Sequence, residues 1–125
     1  MSKLRVLIAD DELPARNKMK RLLQKITSVE LVHAAENGFD ALEHIQSLKP
    51  DLVFLDIEMP GMNGLEVAEN IDLEKMPAVV FATAYSEHAI KAFELNALDY
   101  LLKPFNEERL RNTIDKVSNS QDSGA

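Results

Sequence analysis

The stretch Leu52-Val53-Phe54-Leu55-Asp56-Ile57-Glu58-Met59-Pro60-Gly61 constrains this chain more than any other. Its first four residues are all apolar, so a strand built from them is buried on both faces, as in the middle of a parallel sheet under helices. Asp56 then stands where the strand stops and a loop begins. In open α/β sheets that edge is where ligands bind.

The rest of the chain repeats this unit. Leu4 to Ala9 is a nearly continuous apolar run ending in Asp10-Asp11-Glu12. Pro14 suits a first helical turn, and Ala15, Met19, Leu22, Leu23 and Ile26 follow at helical spacing, opposite a basic face of Arg16, Lys18, Lys20, Arg21 and Lys25. Glu30 to Ala35 reads as a weaker strand near an edge. Asn37-Gly38 turns the chain into a helix marked by Ala41, Leu42, Ile45 and Leu48 and stopped by Lys49-Pro50. After Asp56 a loop to Gly64 leads into a short helix with Leu65, Ala68 and Ile71. Ala78 to Ala82 is a fourth strand ending at Thr83, and Ser86 is the expected N-cap of a helix to about Leu95. Leu98 to Leu102 is a fifth strand ending at Lys103-Pro104. Asn106 caps the last helix, with Phe105 and Leu110 as a hydrophobic staple and Leu110, Ile114 and Val117 as its buried stripe. Phe39, Phe54, Phe81 and Phe93 are core candidates, and the three histidines are singletons without ligand spacing.

Five β-α units in strict alternation imply a parallel sheet with helices on both faces and right-handed crossovers. The five-stranded form is the flavodoxin-like doubly wound α/β fold, strand order 2-1-3-4-5, with its switch point between strands one and three. The expected domain spans residues 1–118, and 119–125 reads as a tail or the start of a linker.

In that order Asp10, Asp11, Asp56, Thr83 and Lys103 line one sheet edge. Three neighbouring carboxylates repel, which raises the pKa of at least one. A hard divalent cation, Mg²⁺ or Mn²⁺, removes the conflict and can stabilise a transferring phosphoryl group. A carboxylate nucleophile forms an acyl phosphate. Lys103 and the Thr83 hydroxyl suit phosphate oxygens. Singly, each residue has an ordinary reading as a turn former, helix-start acid, strand-end hydroxyl or surface lysine; the functional reading rests on their occurring together.

Composition narrows the classes. The chain has 125 residues, 46% hydrophobic, which makes about one domain with a proper core. It has no cysteine, hence no disulfide or thiolate site, as fits a reducing cytoplasm. Its net charge of −7 does not suit a polyanion partner. No apolar run reaches membrane-span length, and Met1-Ser2-Lys3 carries no signal-peptide pattern.

The sequence resembles the receiver domain of two-component response regulators over residues 3 to 118. The matching pieces are Asp10-Asp11, Asp56-x-x-Met59-Pro60-Gly61, Thr83-Ala84 and Lys103-Pro104-Phe105. Asp10-Asp11-Glu12-x-Pro14 and the run from Phe93 to Pro104 look most like regulators with a LytTR-type DNA-binding output domain. The resemblance implies that Asp56 accepts a phosphoryl group from a sensor histidine kinase. It implies that Asp11, Asp56 and the backbone carbonyl of Glu58 bind Mg²⁺, with Asp10 acting mainly through water. Lys103 and Thr83 would hold phosphoryl oxygens. Thr83 moving toward the phosphate would let Tyr100 turn inward, remodelling the surface of helix 4, strand 5 and helix 5, through which the family commonly dimerises. The Lys103–Pro104 bond is often cis in that family. Glu58 and Tyr85 stand where the family tunes hydrolysis, and a bulky Tyr85 would slow dephosphorylation. Such a domain is not a classical enzyme. DNA contact would come only through an output domain, and the LytTR-like details favour an excised receiver over a single-domain regulator. A flavodoxin-type FMN carrier is the alternative on the same fold, but Asp10-Asp11-Glu12 opposes a flavin phosphate. An aspartyl-nucleophile phosphatase would carry a second Asp where this chain has Glu58. A degenerate receiver would not keep the whole residue set.

Overall fold

The computed structural model describes residues 3–72, 74 and 76–123, and side chains as far as residue 119. Its elements are β1 (Leu4–Ala9), α1 (Leu13–Gln24), β2 (Val29–Ala35), α2 (Gly38–Leu48), β3 (Leu52–Leu55), α3 (Gly64–Glu69), β4 (Ala78–Thr83), α4 (Ala89–Glu94), β5 (Asp99–Leu102) and α5 (Glu107–Ser123). The five strands form one parallel sheet in the order β2-β1-β3-β4-β5. This is the flavodoxin-like fold, and β2 is indeed an edge strand.

Alternation along the strands divides the interior in two. Val6, Ile8, Leu52, Phe54, Val80, Ala82 and Leu101 pack under α1 and α5, against Met19, Leu23, Leu110, Ile114 and Val117. Leu7, Ala9, Val53, Leu55, Val79 and Phe81 pack on the other face, against Ala41 and Ile45 of α2, Val67 and Ala68 of α3 and Ala92 of α4. β3 is buried at every position, as its composition requires.

The helix ends follow local chemistry. Asn37 caps α2 by accepting the Asp40 N–H, and Lys49 closes it at φ 50°, followed by Pro50. Asn63 and Glu66 form a reciprocal capping box on α3. Asn106 accepts the Arg109 N–H at 2.8 Å to start α5, and Phe105 packs, partly buried, against the α1/α5 layer to which Leu110 belongs. The Lys103–Pro104 bond is cis.

Several expectations are corrected. α4 starts at Ala89 after His88, with no side-chain cap, so Ser86 does not begin it. Phe39 and Phe93 are 61% and 60% exposed; only Phe54 and Phe81 belong to the core. Arg16 leaves the basic face of α1 and is buried, while Ala15 and Leu22 are half-buried. β2 and β5 start at Val29 and Asp99. α5 runs to Ser123, and Val117 is its last core side chain among the described residues. Met1, Ser2, Gly124 and Ala125 lie outside the described residues.

Candidate functional site

Register brings the acids together. Ala9 pairs with Leu55, so Asp10 and Asp56 leave adjacent strands side by side. The Asp56 N–H donates to the Ala9 carbonyl at 2.9 Å, and the Asp10 N–H donates to the Ala35 carbonyl at 3.1 Å. Both main chains are thus fixed by sheet bonds at the point where the side chains turn into the site. Asp10 and Asp56 are buried, and Asp11 is exposed. The three carboxylates offer oxygens that lie within 4.8 Å of one another. That is a donor set for a hard cation.

Lys103 supplies the counter-charge. Its Nζ is 2.5 Å from Asp10 Oδ2 and 3.3 Å from Asp56 Oδ2. Burial favours the neutral amine, but the hydrogen bond to Asp10 and the nearby carboxylates hold its pKa above the ordinary lysine value. Asp56 is pushed up to about 6, first by burial; Lys103 pulls it down and Asp10 raises it again. Repulsion between acids was the expected cause, yet removal from water is the larger one.

The loop after Asp56 is folded tightly onto it. The Glu58 N–H donates to Asp56 Oδ1 at 3.2 Å, and the Gly64 N–H donates to the Ile57 carbonyl at 3.0 Å. Gly61 has φ 80°, which favours glycine. A Cβ on Gly64 would stand 2.3 Å from the Asp56 carbonyl oxygen, so only glycine allows α3 to begin this close to the acid.

Thr83 is fully buried at the end of β4, and its hydroxyl accepts the Tyr85 N–H at 3.3 Å. Leu55 pairs with Phe81, which sets Thr83 near the level of the Asp56 loop. The Lys103 N–H donates to the Thr83 carbonyl at 2.9 Å, tying the ends of β4 and β5. Tyr100 is half-buried on the α4 side, and its hydroxyl donates to the Tyr85 carbonyl. Tyr85 is 48% exposed at the rim, and the Glu58 carboxylate lies 3.3 Å from His88 Nε2.

Sequence reasoning missed Arg16. Its Nη1 donates to the Asp10 carbonyl at 2.7 Å, and its Nη2 lies 3.8 Å from Glu36, so it braces the main chain of a cluster acid from below. Its place within a run of basic residues concealed this. Also missed was Asp99, buried at the start of β5 and bound by both terminal nitrogens of Arg109 and by the hydroxyl of Thr113. The histidines are not all isolated either, since His33 and His44 meet at Asp40.

Comparison with known proteins gives a consistent result. The family described as response regulator receiver domain matches residues 6–115. A response regulatory protein of Yersinia pestis is 50% identical over 115 residues, 92% of this chain and 48% of that protein. The sensory transduction protein LytT of Bacillus anthracis is 50% identical over 123 residues, 96% of this chain and 49% of that protein. The chain spans about half the length of these relatives. Among solved structures, the response regulatory domain of mrkE from Klebsiella pneumoniae superimposes with a TM-score of 0.88 at 38% identity, covering 95% of this chain and 98% of that one. The response regulator domain of Thermotoga maritima CheB gives 0.82 at 27% identity, covering 93% and 97%.

Proposed function

This chain belongs to the response regulator receiver domain family, and from that premise we propose that Asp56 takes a phosphoryl group from a phosphohistidine of a sensor histidine kinase. A carboxylate oxygen of Asp56 forms the new P–O bond as the P–N bond of the donor breaks. The observation that carries this reading is the sharing of one lysine by two buried carboxylates, with Asp56 left the less neutralised of the two.

Asp10, Asp11, Asp56 and the Glu58 backbone carbonyl are the groups that would hold Mg²⁺ or Mn²⁺. The fit rests on the convergence of three carboxylates, whose ligand oxygens lie within 4.8 Å of one another. When bound, such an ion supplies charge neutralisation for the transferring oxygens. Lys103 pairs with a phosphoryl oxygen as a point charge, and the Thr83 hydroxyl donates to another. The Thr83 shift frees Tyr100, whose hydroxyl exchanges its bond to the Tyr85 carbonyl for an inward position.

The surface changed is that of α4, β5 and α5. Ile90, Phe93 and Leu102 are exposed there, which supports homodimerisation through it on phosphorylation. Tyr85 at the rim shields the acyl phosphate from water, with Glu58 beside it; a phosphoryl lifetime of seconds in purified protein would refute this. We assign the chain to the cytoplasm; among the described residues no helix is long and apolar enough to cross a membrane. Relatives about twice its length are named sensory transduction or transcriptional regulatory proteins. They support a role as the input half of a transcription regulator whose DNA contacts, of LytTR type, lie outside this chain.

Incubation with acetyl phosphate and Mg²⁺ followed by intact-mass measurement tests the assignment. Wild type gains one phosphoryl mass and Asp56→Asn gains none. An equal gain in both proteins overturns it.

A further inference from the structure

A second constellation lies away from the acidic edge. Asp40 and His44 are one turn apart on α2, and His33 comes from the neighbouring edge strand β2. His33 Nε2 lies 2.9 Å and His44 Nδ1 2.7 Å from the same atom, Asp40 Oδ1. The two imidazoles stack with centroids 3.7 Å apart and 16° between their planes. One donor atom from each of the three residues lies within 4.8 Å of the others.

The chain is bent to make this meeting. Register between β1 and β2 slips at Val6/Leu7, so Leu31 pairs with Val6 but His33 with Leu7, leaving Val32 over. Leu7 belongs to the layer under α2. Without the irregularity His33 would pair with Ile8 and face α1 and α5 instead. The carboxylate is also held from behind. Asp40 Oδ2 accepts the Glu36 N–H at 3.2 Å, and the Asp40 N–H is fixed by Asn37 Oδ1 at 2.8 Å. Outer contacts of this kind orient a metal-binding carboxylate. The three side chains are 26%, 26% and 32% exposed, so an ion and its water can reach them.

We propose that His33, Asp40 and His44 form a site for one zinc-class transition-metal ion, with water completing its shell. Two imidazole nitrogens and one carboxylate suit Zn²⁺ and its neighbours, whereas Mg²⁺ prefers the all-oxygen set around Asp56. The ion takes the place of the His33 hydrogen bond to Asp40 Oδ1, and His44 Nδ1 exchanges its 2.9 Å contact with the Asp40 main-chain carbonyl for the metal. Bound there, it pins the middle of the edge strand to α2.

Calorimetric titration of tag-free protein with Zn²⁺ tests this on wild type, Asp11→Asn/Asp56→Asn and His33→Gln/His44→Gln, each checked for folding by circular dichroism. Wild type and the acid variant are expected to bind one equivalent. The histidine variant should bind at least about 100-fold more weakly, since even outer-sphere losses cost up to that factor, yet still acquire a phosphoryl group from acetyl phosphate. Equal Zn²⁺ affinity in the histidine variant, or loss in the acid variant, overturns the site. Co²⁺ added to wild type gives a readout that needs no substitution. Intense visible absorption of a low-coordinate nitrogen-ligated ion is expected, and the spectrum of aquated cobalt overturns the proposal.

Discussion

Lys103 Nζ is closer to Asp10 than to Asp56, at 2.5 Å against 3.3 Å. The one lysine at the site is therefore engaged mainly with the acid that is not the proposed nucleophile. Asp56 keeps much of the cost of being an ionised group out of water, and a cation bound beside it would offset that cost.

The first consequence concerns pH. The folded pKa of Asp56 is about 6, above its ordinary 3.8. A raised acid pKa means that the native state binds the proton more tightly. Its stabilising effect is complete below the unfolded value and is lost as pH rises through the folded one. Asp99 acts oppositely. Burial raises its pKa, but the hydrogen bonds from Arg109, Thr113, Tyr100 and Lys116 hold it well below 3.8, so its contribution is present above 3.8 and lost as pH falls. Subtracting curves for wild type and Asp56→Asn cancels Asp99. With chelator present, Asp56→Asn should gain about 2–3 kcal/mol relative to wild type between pH 4 and pH 7. Denaturant unfolding across that range checks it, and a flat difference would refute the assignment of the raised carboxyl.

The second concerns the cation. Mg²⁺ at ten times its dissociation constant should stabilise wild type by about 1.4 kcal/mol, and Asp11→Asn/Asp56→Asn by much less. Melting temperature measured against Mg²⁺ concentration gives the answer. Equal shifts in the two proteins would remove the ion from this site.

The third concerns the turn behind Asp56. Gly64→Ala introduces a Cβ 2.3 Å from the Asp56 carbonyl oxygen, where only backbone could give way. We expect a loss of about 1–3 kcal/mol, together with slower phosphoryl transfer from acetyl phosphate because Asp56 is displaced. Ala68→Gly, in the same helix, should destabilise without this effect on transfer. Unfolding and transfer rates measured on both variants separate local strain from loss of helix.

The fourth concerns the buried carboxylate of β5. Arg109→Ala takes both guanidinium bonds, of 2.7 and 2.9 Å, from Asp99 and leaves it Thr113, Lys116 and the Tyr100 N–H. Arg109 itself is about two-fifths exposed, so the loss should be about 2–3 kcal/mol, below the range for a fully buried pair. Asp99→Asn/Arg109→Met should recover part of it in urea unfolding; no recovery would mean that the arginine acts by packing and not by charge.

The sheet and the acidic edge were legible because both depend on local pattern. Apolar runs of strand length and the polar residue that ends each one are properties of neighbours in sequence. What escaped reading depends on elements meeting across space. Arg16 sits in a basic run and looks solvated, yet Asp10 offers it a carbonyl from the adjoining strand end. Phe39 has the composition of a core residue, but it lies in the first turn of α2 with its ring over Gly61, at the surface. Asp99 reads as one more residue of the fifth strand until α5 brings Arg109 and Thr113 to it. His33 reaches His44 only through one unpaired residue in β2, and no spacing rule reports such a slip.

The division of the interior into two layers has a mechanical corollary. Tyr100 packs in one chamber while Leu101, its neighbour, packs in the other. A repositioned tyrosine can therefore loosen the wall formed by α4 without unseating the side chains clasped between the sheet and α1 and α5. In the switch proposed above, one half of the molecule would serve as the anvil and the other as the moving part.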